Sequence, residues 1–314
     1  MRFRLANSIL VTVMLLSLAV EPGLFVWSQT PPYDLKIIWV KVSNPTSRSE
    51  YTYGVCLRDQ YLYVVGFENQ TDTAINYAWR IEQRSLVDGS LINNMSISFT
   101  YNGDNRLFDC VANDTHVIAV GRYYRPTTPA PYDYVVGLAV VDRSTFTATI
   151  YYVNPDTYDD TAYSVDTNST PLYLAGSSRY SGPPYDLDTL TMSLNPQTGY
   201  VISRKVRIST GNDELFSVAV NPVTGEPWFA GYYTGGDGAP RWGIRVYSRD
   251  FGQVKASDLT DALGHAYSIA FDAQGNAFVA GSTGVRKYSS DGTYLRNVTY
   301  VSGIKPCITR AASL

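Results

Sequence analysis

Histidine, cysteine and charge are all scarce in this chain of 314 residues, which has 2 His, 3 Cys and only 17% charged side chains. With so few soft ligands and no Cys-x-x-Cys pair, a metal cluster or a haem site is disfavoured. The net charge of −3 and pI near 5.4 leave no broad basic field for a phosphate backbone, so no nucleic-acid partner is expected. Motifs of common enzyme chemistry are missing too: there is no Gly-x-Ser-x-Gly elbow, His-Glu-x-x-His pair, P-loop or dinucleotide fingerprint. Past the N-terminal leader, no apolar run is long enough to cross a bilayer and no segment has a convincing helical period.

What the chain does have is apolar and aromatic mass. Hydrophobic residues make up 45% and aromatics 13%, with 26 Tyr, enough for a packed interior. Arg2 and Arg4 precede the apolar run from Ile9 to Val20, which Glu21-Pro22-Gly23 breaks. Residues 1–28 therefore read as a signal peptide, cleaved after Ala19 or Ser28, or as a retained N-terminal anchor, since apolar residues resume at Leu24. Either way the protein is expected outside the cell or at its surface, with no other membrane span. In that setting Cys56, Cys110 and Cys307 suggest one disulfide and one free thiol, or else three buried thiols. Sequons at Asn69, Asn94, Asn113, Asn168 and Asn297 are glycosylation candidates.

A repeat then sets the architecture. Strand-turn-strand stretches end at Gly66, Gly121, Gly176, Gly231 and Gly281, at intervals of 55, 55, 55 and 50 residues. Each opens on an aromatic residue: Tyr53, Phe108, Tyr163, Phe216 and Tyr267. Within each, a bulky residue and then a small or β-branched one precede the glycine, the alternation of a strand with one packed face. The glycine itself marks a bulge or a close backbone approach. A second hairpin fills the rest of each period, with turns such as Val87-Asp88-Gly89 and Ser290-Asp291-Gly292. Four strands per unit and no helices predict an all-β β-propeller with five four-stranded blades, or six if the termini complete a divergent one. The propeller spans about 30–305, in units 50–103, 104–156, 157–209, 210–260 and 261–303, with a tail at 304–314. The segment from Leu35 to Val42 is either an extra outer strand, part of a sixth blade, or an edge left for a partner. Because Cys307 follows the last strand, a bridge from Cys307 to Cys56 would staple the ring shut.

The stretch "AYSIAFDAQGNAFVAGST", Ala266 to Thr283, resembles the secreted bacterial and archaeal β-propeller repeat with its D-x-G-N-x-Y/F-V-x-G core. The resemblance runs through five degenerate copies over about 50–303; the second and third lack the Gly-Asn turn.

Polar clusters stand just before the first strand of each unit: Glu50, Asp104-Asn105, Asp159-Asp160, Asn212-Asp213-Glu214 and, in the fifth, His265. In a propeller these would share one mouth. Such an incomplete acidic ring could hold Ca²⁺, or pair carboxylates for sugar chemistry; alternatively each acid accepts backbone hydrogen bonds where a turn enters a strand. No other cofactor is expected and no catalytic residue is assigned. Tyrosines such as Tyr123-Tyr124, Tyr151-Tyr152 and Tyr232-Tyr233, read as lying in connecting segments, offer rings for sugars or peptides, and Pro-Tyr-Asp recurs at Pro32, Pro131 and Pro184. The leading expectation is a binding or structural module whose partner is a protein, a glycan or another copy of itself. The alternatives are a carbohydrate-active enzyme or lectin using the mouth acids, and a self-assembling surface-layer or filament subunit.

Overall fold

The structure, a computed structural model, describes residues 39–40, 48–71, 74–100, 103–125, 133–153, 159–167, 170–179, 186–207, 211–258 and 263–298. Their twenty strands form five antiparallel four-stranded sheets, each a meander in chain order. The first blade is β1 (Glu50–Arg58), β2 (Tyr61–Asn69), β3 (Tyr77–Ser85) and β4 (Leu91–Ile97). The second is β5 (Arg106–Ala112), β6 (His116–Arg125), β7 (Asp133–Asp142) and β8 (Ala148–Val153). The third comprises β9 (Asp160–Thr167), β10 (Leu172–Arg179), β11 (Leu187–Leu194) and β12 (Val201–Arg207). The fourth holds β13 (Glu214–Val220), β14 (Pro227–Thr234), β15 (Pro240–Tyr247) and β16 (Val254–Asp258). The fifth has β17 (Ala266–Phe271), β18 (Ala277–Gly281), β19 (Gly284–Tyr288) and β20 (Tyr294–Val298). These are the five blades of a β-propeller. The tyrosine pairs read as connectors are strand residues: Tyr123-Tyr124 lie in β6, Tyr151-Tyr152 in β8 and Tyr232-Tyr233 in β14.

The repeat glycine and the repeat aromatic act together. In every blade the register between the first two strands slips at the aromatic residue, so Tyr53, Phe108, Tyr163, Phe216 and Tyr267 are each the extra residue of a β-bulge. The glycine opposite is pressed onto the carbonyl two residues before that aromatic. A Cβ at Gly66, Gly121, Gly176, Gly231 or Gly281 would lie 1.8–2.1 Å from the oxygen of Tyr51, Arg106, Thr161, Glu214 or His265 respectively.

Blades are joined along their first strands: β1 packs on β5, β5 on β9, β9 on β13 and β13 on β17. Apolar side chains from facing sheets fill the space between them. Side chains next to the bulge add hydrogen bonds from blade to blade. Val165 donates its amide to Asp109 Oδ2 (3.0 Å), Val218 to Ser164 Oγ (3.2 Å) and Ile269 to Ser217 Oγ (3.3 Å). In the first blade the corresponding residue is Gly54, which has no side chain to accept. There a disulfide makes the link, Cys56 to Cys110, with Cα atoms 5.6 Å apart. The expected Cys56–Cys307 bridge is thereby corrected: the bond ties neighbouring inner strands, where two cysteines 54 residues apart, about one repeat, come face to face. Cys307 itself lies outside the described residues.

Among the described residues no packing of comparable extent joins β17 back to β1. The residue two after the aromatic shows the consequence. Cys110 (3% exposed), Val165, Val218 and Ile269 (each 0%) are covered by the preceding blade, whereas Val55 at the same place in β1 is 44% exposed. The segment from Leu35 to Val42 falls mostly outside the described residues, although Trp39 donates its indole N–H to the Leu86 carbonyl (3.0 Å) in the first blade.

Two measurements test this frame. Gly121→Ala should cost more than about 3 kcal/mol in urea unfolding, because the methyl group collides with backbone; Gly236→Ala, with nothing within 4 Å, serves as the control and should shift stability by under about 0.5 kcal/mol. Replacing Cys56 and Cys110 together by serine should cost about 2–4 kcal/mol, and the unreduced, unfolded chain should titrate as one thiol.

Candidate functional site

The first strands all run in phase, so the bulges sit at one end of the blades near the residues that enter those strands. The five bulge aromatics form a continuous arc. Ring centroids are 5.1 Å apart for Tyr53–Phe108, 5.4 Å for Phe108–Tyr163, 6.0 Å for Tyr163–Phe216 and 5.6 Å for Phe216–Tyr267. These are the separations of offset and edge-on aromatic pairs. The two ends of the arc are open to solvent, Tyr53 being 44% and Tyr267 47% exposed.

Charged and polar groups flank the arc at both ends. At its start, Arg106 donates to the Tyr53 hydroxyl (2.8 Å) and lies over the rings of Phe67 (5.1 Å) and Tyr77 (5.4 Å). Near its far end Glu214 accepts from the Tyr232 hydroxyl (3.0 Å), while the Tyr163 hydroxyl accepts from Ser177 Oγ (3.3 Å). The His265 ring packs edge-on to Tyr232 (4.4 Å) and parallel to Tyr267 (5.7 Å). Burial pushes the Tyr163 phenol up to about 12, with the Glu214 carboxylate adding to the effect. Burial also raises the Tyr232 phenol and lowers the His265 imidazole, the latter partly offset by Glu214. At neutral pH this end of the arc offers two neutral phenols and a largely neutral imidazole around one carboxylate.

The remaining acids of the predicted ring are individually engaged. Asp104 pairs with both Arg106 and Arg122. Asp159 accepts the Tyr134 amide (3.1 Å) and stands 3.6 Å from Arg179. Asp160, fully buried, lies 3.8 Å from Arg204. Asp213, also fully buried, accepts the Thr234 amide (2.6 Å), and Asn105 likewise accepts the Tyr124 amide (2.7 Å). Glu50 begins β1, where its register partner is Glu68. Among the described residues no group of three or more His, Cys, Asp or Glu side chains stands close enough together to hold a metal ion. The structure thus brings Glu214 and His265 together and gives Asp104, Asp159, Asp160 and Asp213 partners of other kinds. Arg106, Arg122 and the contact between Tyr232 and His265 were not read from the sequence, because each depends on which strands become neighbours.

The sequons occupy varied settings. Asn94 and Asn297 are exposed on the outermost strands β4 and β20. Asn69 ends β2, and its side chain accepts the Asn76 amide (3.2 Å). Asn113 accepts the amides of Thr115 (3.0 Å) and His116 (2.8 Å) in the β5–β6 turn. Asn168 and the proline and tyrosine of each Pro-Tyr-Asp lie outside the described residues. No helix among the described residues is long and apolar enough to cross a membrane.

Blades and mouth define a β-propeller of five described blades. No family model matches the chain, and no curated protein matches it. Among solved structures it is similar to the β-propeller domain of Cps50 (Swd1) from Myceliophteria thermophila, at 11% identity and a TM-score of 0.49, covering 82% of this chain and 76% of that one. It is also similar to a protein of unknown function from Bacteroides caccae, at 10% identity and a TM-score of 0.48, covering 79% and 76%.

The His265 environment gives a titration test. Its NMR midpoint should fall below the ordinary value of 6.5, because burial disfavours the imidazolium. Glu214→Gln should lower it further by removing the carboxylate that favours the charged ring.

Proposed function

We propose that this protein is an exported propeller that works by binding, with the aromatic arc at its mouth as the recognition surface for a glycan. The observation that carries this reading is the unbroken run of five rings, solvent-open at both ends and flanked by Arg106 at one end and by Glu214 and His265 at the other. Flat aromatic faces stack on the apolar faces of sugar rings at low entropic cost, while flanking charges and hydroxyls order the sugar's own hydroxyls. The engagement of the acids favours binding over hydrolysis: Asp104 is held between two arginines, and Asp213 is committed to a backbone amide. Export is supported by the leader-like N-terminus and by the Cys56–Cys110 bond, a linkage suited to an oxidising compartment.

A second reading, self-assembly through the first blade, draws on one observation: the face of β1 bearing Val55 is exposed where every other blade has a neighbour. That reading expects concentration-dependent oligomers in light scattering which Val55→Lys disperses.

For the leading reading, the mature protein would be passed over a glycan array and its best ligand titrated. Tyr53→Ala and Tyr267→Ala should each weaken binding at least about tenfold, roughly one aromatic contact's worth. An array with no bound glycan, or full affinity in both variants, overturns the proposal.

A further inference from the structure

The spaces between blades are filled by a repeated size rule, and one of them breaks it. The decisive place on the third strand of each blade is the residue just before the one paired with the repeat glycine. It is Trp79 in the first blade, Val136 in the second, Thr189 in the third and Trp242 in the fourth. Each faces the following blade, and in three of the four what it meets there is matched in size. Trp79 is buried against Gly137, where a Cβ would lie 2.3 Å from the indole, and Trp242 against Gly281, where a Cβ would lie 2.1 Å from it. Val136 shares its cluster with the larger Leu190.

Between the third and fourth blades the pairing is small against small. Thr189 lies across from Gly243, which occupies in the fourth blade the place Gly137 holds in the second. Neither supplies the missing bulk, and the result is a cleft of about 530 Å³ that both residues line. Its size is ordinary for a small-molecule site.

The chemistry of its walls is one-sided. Lys205 and Arg245 line it, together with the Tyr247 ring and the hydroxyls of Thr189 and Thr191; no carboxylate does. The Lys205 ammonium lies 4.8 Å from the Tyr247 centroid and 5.3 Å from that of Phe251, and it also feels Asp250 in the turn below. Arg245 is partly buried, and its side chain makes no hydrogen bond or ion pair among the described residues. A guanidinium so placed is a preferred carboxylate partner.

We propose that this cleft is a binding site for a planar aromatic carboxylate, the ring filling the space that an indole fills between the first and second and between the fourth and fifth blades, and the carboxylate meeting Arg245 and Lys205. The cleft lies between the third and fourth blades and meets the mouth at Tyr232, which lines both.

Calorimetric titration of the whole mature protein with indole-3-acetate, indole and acetate as probes tests it. Indole-3-acetate should bind with saturation, indole at least tenfold more weakly, and acetate undetectably. Thr189→Trp, which fills the cleft from within, should abolish binding and raise the melting temperature. The Lys205→Met, Arg245→Met double variant should lose at least tenfold for indole-3-acetate while leaving indole unchanged. If Thr189→Trp does not fold, the double variant decides. No saturable indole-3-acetate binding, binding that survives Thr189→Trp, or equal affinity for acid and neutral probes in the parent protein overturns the proposal.

Discussion

Everything in this molecule hangs on a backbone contact that no side chain would permit, the seating of each repeat glycine against the carbonyl two residues before the repeat aromatic. That approach forces an extra residue into the first strand, and the extra residue is always the aromatic one. The bulge bends and twists the strand, so the aromatic ring leaves the plane of its own sheet and reaches the ring of the next. Sequence, local geometry and mouth are thus linked by one steric fact: remove the room above the glycine and the arc loses its register.

Next to the bulge a second layer of order appears. Asp109, Ser164 and Ser217 each lend a side-chain oxygen to an amide of the following blade, so the inner strands are coupled by hydrogen bonds as well as by apolar packing. Buried amides need partners, and a strand lying on another blade's edge has no ladder there to supply them. Asp159, Asp213 and Asn105 answer a similar demand where the chain enters each blade, whereas Asp104 and Asp160 are set against arginines. Glu214 differs in facing phenols and an imidazole, which leaves it the most chemically distinctive of the predicted set.

The blades were legible because their signal is local: a glycine, a preceding alternation and a period near 55 residues can be counted along the chain. The bulge could be anticipated at the glycine but not assigned to the aromatic, since only the register reveals which residue is extra. Cys56–Cys110 escaped notice although its separation of 54 residues is almost one repeat, a spacing that places two residues on adjacent inner strands. Arg106 and Arg122 were invisible as site residues, as was the meeting of Tyr232 with His265, because the partners come from other strands or other blades. The cleft at Thr189 and Gly243 is harder still to read. Each residue is unremarkable alone, and the gap exists only in the comparison of one interface with the others.

The exposed Val55 also changes how the described blades bear load. A closed ring has no end blade, whereas an array whose first member lacks a predecessor behaves as a short stack in which the termini hold fewest neighbours and open first. The two end interfaces are the ones fitted with special fasteners: the covalent bond from the first blade to the second, and the Trp242 indole driven against Gly281 between the fourth and the fifth. Fraying from either side is resisted there, while the interface between the third and fourth blades carries neither fastener and holds the cleft instead.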